Sequence, residues 1–224
     1  MSYTLQFGQI WPYLPSLLAG AWLSLEIAFL AFCGGLLIGT AGAAALSFGG
    51  GIVRRIVRGY VTFFTNTPQL VQIYFLYFAL PDAGILLSSY AAVLIGMTLN
   101  AGAYLTEIER AGFASVPRAE LDAADVMGFS RLQTVWHVIA PHVVRALYPA
   151  LSNHYIIMTL GTSMAAIFGV EELTGRALNA NAISFRSVEF FSLVAVIYIG
   201  LTVVASTLLW VLGRWLFRIK AKVF

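Results

Sequence analysis

The stretch "SVPRAELDAADVMGFSRLQTVWHVIAP" (Ser115–Pro141) interrupts a strongly apolar chain with charges, two helix-start signals and one glycine. Pro117 suits a first helical position, where its missing N–H costs nothing, and a helix is expected from there to Met127. Gly128 stands where a left-handed C-terminal cap is needed. Ser130, with Gln133 three residues on, fits a capping box. The second helix carries Leu132, Val135, Trp136 and Ile139 at i, i+3, i+4, i+7, which makes one apolar face. Pro141 is expected to stop it. On the first helix Arg118, Asp122 and Asp125 share a face, while Ala123, Ala124 and Met127 make a small, smooth one. Two readings fit this pair of helices: a connector lying on a membrane surface, or a docking piece for another protein.

The surroundings place the stretch. Of 224 residues, 60% are hydrophobic and 10% charged, against about 25% charged in a soluble domain, and mean hydropathy is +0.85. The composition implies an all-helical integral membrane protein, and the length suits a single domain over residues 1–224. A helix needs about 20 mostly apolar residues to cross a bilayer. Five segments qualify: about 14–46, 60–80, 88–113, 143–170 and 188–217. The first exceeds one span, so its start is expected to be tilted or surface-lying. Of the 13 Lys and Arg, all but Arg176 and Arg186 fall on one side if the C-terminus is cytoplasmic and the N-terminus outside. They lie at Arg54, Arg55 and Arg58, around the loop (Arg110, Arg118, Arg131, Arg145), and in the tail (Arg214, Arg218, Lys220, Lys222). Segment 115–141 is then a cytoplasmic helix pair between spans three and four. The basic residues form no patch for nucleic acid, and residues 1–13 lack the basic start of a signal peptide. Cys33 in its apolar run reads as a small buried residue with no metal partners at suitable spacing.

Polar side chains inside spans are costly and raise functional hypotheses. Asn66, Thr67, Gln69 and Gln72 cluster beside Pro68, which removes a backbone hydrogen bond. They could offer donors and acceptors to a zwitterionic solute, or simply bond neighbouring helices. Glu107 and Arg110 form an i, i+3 pair, either a gate at the cytoplasmic mouth or a structural ion pair. His154 is expected to bond a neighbouring helix. Glu171, Glu172, Arg176, Arg186 and Glu189 fit a solvated external loop. Trp210 and Trp215 read as interfacial aromatics at the end of span five.

The segment "ELDAADVMGFSRLQTVWHVIAP" resembles the EAA loop of ABC-importer membrane subunits. It begins at Glu120, with Asp122-Ala123-Ala124 for Glu-Ala-Ala, then Gly128, Val138 at the Ile position and Pro141. Asp122 and Ala140 replace the usual Glu and Leu. "YVTFFTNTPQLVQIYFLYFALP", "NAGAYLTEIERAGFASVP" and "GTSMAAIFGVEELTGRA" resemble the second, third and fourth spans of polar amino-acid permeases, so the likeness covers most of the chain in order. It implies a type I importer transmembrane domain in a bacterial inner membrane. Two ATP-hydrolysing subunits would work inside, holding ATP and Mg, and a solute-binding protein outside. The cargo would be a polar amino acid or an opine-like derivative. The loop would be the coupling helix, with Glu120, Asp122, Ala123, Ala124, Gly128 and Pro141 meeting the ATPase, and the external segment would face the binding protein. Thr162 and Ser163 match the Thr-Ser of a family motif, but Leu160 and Gly161 replace its Lys-Asp, and Thr65 and Asn66 replace an Arg-Gly in span two. These neutral positions favour a heterodimer with a second permease over a homodimer. The chain has no Gly-x-x-x-x-Gly-Lys-Ser/Thr loop, so it is expected to bind no cofactor and to be no enzyme itself. Rival readings are a self-sufficient secondary transporter or channel, which commonly shows internal repeats, and a membrane enzyme, which would gather its catalytic groups at one depth.

Overall fold

The computed structural model describes residues 4–217; Arg218, Lys220 and Lys222, used above for orientation, lie outside them. Every regular element among the described residues is helical: α1 (Leu14–Phe48), α2 (Gly51–Thr65), α3 (Gln69–Tyr74), α4 (Ser89–Ala114), α5 (Arg118–Val126), α6 (Arg131–Thr134), α7 (Ala140–Gly161), α8 (Leu173–Ser184) and α9 (Ser187–Phe217), with short 3-10 and π turns between them. Among the described residues, three helices are long and apolar enough to cross a membrane: Phe7–Phe48, Ser89–Ala114 and Ser187–Phe217. Arg131–Phe168 and Leu173–Ser184, bent by 44°, make a fourth if the pair is one span.

Helix α1 has 35 residues, so it is roughly 52 Å long, well beyond the ~30 Å hydrocarbon layer. Its first turns pack on α8, where a Cβ on Gly20 would meet the Glu172 backbone at 2.9 Å. Further along, Ala31, Gly35, Gly39 and Ala43 recur every fourth residue and are all buried. This small-residue seam lets α4 approach backbone to backbone. A Cβ on Gly35 would lie 2.6 Å from Ala101 Cβ, and one on Gly39 2.7 Å from Leu105 Cβ. The register rises along both helices together, so α1 and α4 run parallel.

The expected second span is not one helix. α2 ends at Thr65, residues 66–68 break the helix, and α3 leads into a π turn (Phe75–Ala79) and a 3-10 turn (Leu80–Ala83). The cause is Pro68, whose extended backbone (ψ 134°) starts α3 anew.

Two proline expectations need correction. Pro117 is the N-cap residue of α5, at ψ 133°, and Arg118 takes the first helical position. Pro141 does not stop the second loop helix. A π turn (Val135–Ile139) follows α6 and leads directly into α7, which places Pro141 in the first turn of α7. There its missing N–H and its ring are tolerated.

The external segment is also not wholly solvated: Glu172 and Glu189 are fully buried. Glu172 caps α8 by accepting from the Gly175 N–H at 2.9 Å, while its other oxygen accepts from Ser24 Oγ (3.0 Å) and Tyr198 Oη (2.9 Å). One carboxylate thus ties α8 to α1 and α9. Glu189 accepts from the Gln6 N–H at 2.9 Å and lies 3.6 Å from Arg186. Cys33 is half-buried and unpaired by disulfide.

Candidate coupling loop and translocation face

The loop between α4 and α7 turns through two consecutive caps. Gly128 has φ +74°. Its N–H donates to Asp125 O and the Phe129 N–H to Ala124 O, both at 3.0 Å. These are the two bonds of a Schellman motif, and the left-handed residue at its centre is where glycine carries no Cβ penalty. Ser130 then closes a reciprocal capping box: its N–H donates to Gln133 Oε1 (2.8 Å) and its hydroxyl accepts from the Gln133 N–H (3.4 Å). No residue separates the motif from the box.

Behind the turn, α5 faces the π turn and the start of α7 across a cleft of about 390 Å³. Ala124 is buried into this side, and Glu120 reaches His142 at 3.6 Å. Glu120, Asp122, Ala123 and Pro141 are exposed. Val126 (89% exposed), Met127, Leu132 and Trp136 (66% exposed) are apolar side chains that this chain leaves uncovered, Met127 at the rim of the cleft. Of the apolar face read from the second helix, Leu132, Val135 and Trp136 are exposed and Ile139 is half-buried.

The broken helix organises a second region. Its freed carbonyls are met by side chains. Gln72 Nε2 donates to Phe64 O and Thr67 O, each at 3.0 Å, and to Thr67 Oγ1 at 2.8 Å. Asn100 Nδ2 donates to Phe64 O (3.2 Å) and to Gln72 Oε1 (3.1 Å). Gln72 and Asn100 are both buried, so this knot holds the break open and satisfies groups that a bilayer would leave stranded. Asn66 is exposed and bonds back to Thr62 O at 2.8 Å, Pro68 is exposed, and Thr67 and Gln69 are half-buried. Gln69 Oε1 lies 3.7 Å from where a side chain on Gly161 would begin, which brings α3 to the end of α7. Ser163 is half-buried beside it, whereas Thr162 is fully buried and donates to Thr159 O at 2.7 Å. Gln69 and Ser163 thus lie at the approach of α3 to α7, Thr67 turns its hydroxyl to Gln72, and Gln72 and Thr162 are buried in the packing.

The remaining polar groups settle as follows. Arg110 and Glu107 form a largely exposed ion pair at 2.5 Å, a contact that contributes about 0–1 kcal/mol. His154 does not bond a neighbouring helix through Nε2, which is buried with no partner among the described residues; its ring lies 5.8 Å from that of Tyr104. Tyr104 Oη in turn donates to Thr65 O at 3.4 Å, at the break. Asn100, Tyr104 and Glu172 went unread as structural groups. A polar Asn within the apolar run "GMTLNAGA" was the available signal for the first. Arg214 stacks over Trp210 at 4.7 Å, which joins the aromatic to the basic end of α9.

The comparisons with known proteins agree with one another. The profile of the family described as "Binding-protein-dependent transport system inner membrane component" matches residues 31–218. The glutamine transport system permease protein of Escherichia coli K12 is 37% identical over 202 residues, covering 89% of this chain and 92% of that one. The octopine transport system permease protein of Rhizobium radiobacter is 32% identical over 216 residues, covering 89% and 85%. The crystal structure of an amino acid ABC transporter superposes with a TM-score of 0.89 at 27% identity over 95% of this chain and 99% of that one. The inward-facing MetNI methionine transporter, at 19% identity and a TM-score of 0.74, shares the fold. The chain therefore belongs to the binding-protein-dependent inner membrane component family, as a permease of polar amino-acid ABC importers with the type I transmembrane fold.

Proposed function

We propose that the chain is one half of the translocation pathway of an ATP-driven importer, and that loop 115–141 transmits closure of a partner ATPase to the spans above it. The chain crosses a bacterial inner membrane five times as a single domain over residues 1–224, N-terminus outside, with the broken α2–α3 unit as the second crossing. The one-sided distribution of Arg and Lys supports that orientation. The observation that carries the coupling role is the exposure of four apolar side chains, Val126, Met127, Leu132 and Trp136, around a doubly capped turn. A lever must be stiff, and its contact surface must be free for a partner. Glu120, Asp122, Ala123, Ala124, Gly128 and Pro141 form or support that lever.

Two ATP-binding subunits hold ATP and Mg, and an external solute-binding protein delivers a polar amino acid or opine-like solute. The glutamine and octopine permeases among the relatives support that cargo class. Asn66, Thr67, Pro68, Gln69, Gln72, Thr162 and Ser163 form the solute-facing wall or hold it in place, and Glu107–Arg110 acts as a structural pair near its inner mouth. Leu160, Gly161, Thr65 and Asn66 leave this wall without fixed charge, which favours a second, charge-bearing permease as the partner. Purification from mild detergent tests the assembly. Copurification of an ATPase and a second permease is expected. A chain that purifies without an ATPase and still moves solute in vesicles is a secondary transporter or channel, and the proposal fails.

A further inference from the structure

An apolar cleft of about 660 Å³ lies between α1, α7 and α9, within the size range of ligand sites, roughly 300–1,000 Å³. Phe29 and Phe32 of α1, Tyr155 of α7, and Leu201, Val204 and Leu208 of α9 are among its walls. α1 and α9 belong to stretches long and apolar enough to cross a membrane, and α7 to the bent pair that makes a fourth, so on the membrane reading the cleft opens into hydrocarbon. The one charged residue in its lining is Glu26. Glu26 Oε1 accepts from Tyr90 Oη at 3.0 Å, and no basic side chain pairs with it among the described residues.

The depth of Glu26 follows from its partner. Tyr90 is the second residue of α4, whose N-cap is Ser88, so Glu26 lies level with an end of α4, where lipid head groups begin. Trp22, one turn earlier on α1, also lines the cleft and is 71% exposed. Such a Trp suits the interface and offers its ring face to a cation. A carboxylate at the mouth of an apolar slot, without a cation from its own chain, calls for a positive group attached to an apolar tail.

We propose that this cleft holds one phospholipid with a primary-amine head group, its acyl chain lying between α1, α7 and α9 and its ammonium on Glu26 beside Trp22. The inference rests on the membrane reading of these helices and is independent of the coupling role of the loop. Native mass spectrometry of the intact transporter, exchanged into equal phosphatidylethanolamine and phosphatidylglycerol of identical acyl chains, tests it. The native complex is expected to retain one phosphatidylethanolamine per copy of this chain in preference to phosphatidylglycerol. Glu26→Gln should bring that preference to parity while lipid is still held. Val204→Trp, which fills the slot from an exposed position, should lose both lipids. Equal retention of the two lipids by the native complex, or unchanged retention by Val204→Trp, overturns the proposal. So does a Val204→Cys chain that cross-links to the second permease, because the occupant is then a partner helix.

Discussion

At the scale of single residues, the loop rests on one backbone angle. Gly128 holds φ +74°, a region where a Cβ costs roughly 1–2 kcal/mol. Gly128→Ala should destabilise the turn by about that much, and Gly128→Asn by less, since Asn tolerates this conformation. Hydrogen exchange of the Phe129 amide, which donates to Ala124 O, reads the effect; equal protection in all three proteins would contradict the Schellman assignment. Gln72 makes a second prediction. Gln72→Leu leaves Phe64 O and Thr67 O without that donor, a loss of about 1–3 kcal/mol. A double-mutant cycle of Gln72→Ala with Asn100→Ala in detergent unfolding should show coupling of about 0.5–3 kcal/mol; strict additivity would mean the two side chains act separately. Gly128, Ser130 and Gln133 were legible in the sequence because their geometry closes within a few residues. The Gln72–Asn100 pair spans 28 positions, and the Glu172–Ser24 bond spans 148. No local pattern encodes such a pairing, so Glu172 read as a solvated or partner-facing loop residue, and Gln72 read equally as a solute contact or a bond to a neighbouring helix.

At the scale of elements, the apolar runs foretold α1, α4 and α9 closely, because a bilayer admits only long apolar helices there. Two breaks were harder. Pro68 signalled a loosened helix, but the chain's full restart as α3 depends on Gln72 and Asn100 meeting the freed carbonyls. Pro141 read as a stop because a proline inside a regular α-helix removes a hydrogen bond; the π turn before it shifts the register and lets the helix continue. The α1–α4 seam gives the sharpest element-scale prediction. Gly39→Leu must displace α4, since a Cβ alone would lie 2.7 Å from Leu105 Cβ, and overpacking of this kind costs about 1–3 kcal/mol or more. Gly59→Ala in α2 meets nothing within 4 Å and should leave thermal stability in detergent unchanged or slightly raised. If the two variants melt alike, the seam does not hold the bundle.

At the scale of the whole molecule, two features divide the work. The parallel α1–α4 pair is closely packed through small residues, and the capped loop follows the end of α4 with Val126, Leu132 and Trp136 exposed. On the proposed coupling role, a push on the loop would reach the bundle through α4 and through the helix Arg131–Phe168. That helix passes Gln69 at Gly161, close to the break between α2 and α3, so one element would join the loop to the proposed solute-facing wall. The measurement that bears most directly on this is ATP hydrolysis and solute uptake recorded in the same proteoliposomes, containing the full transporter and its binding protein. The variants are Val126→Asp and Trp136→Asp, both at exposed positions that touch no core. Loss of binding-protein-stimulated hydrolysis and of uptake, with the permease pair still folded, is the expected result. Unchanged uptake in both variants would show that the loop does not carry force from the ATPase.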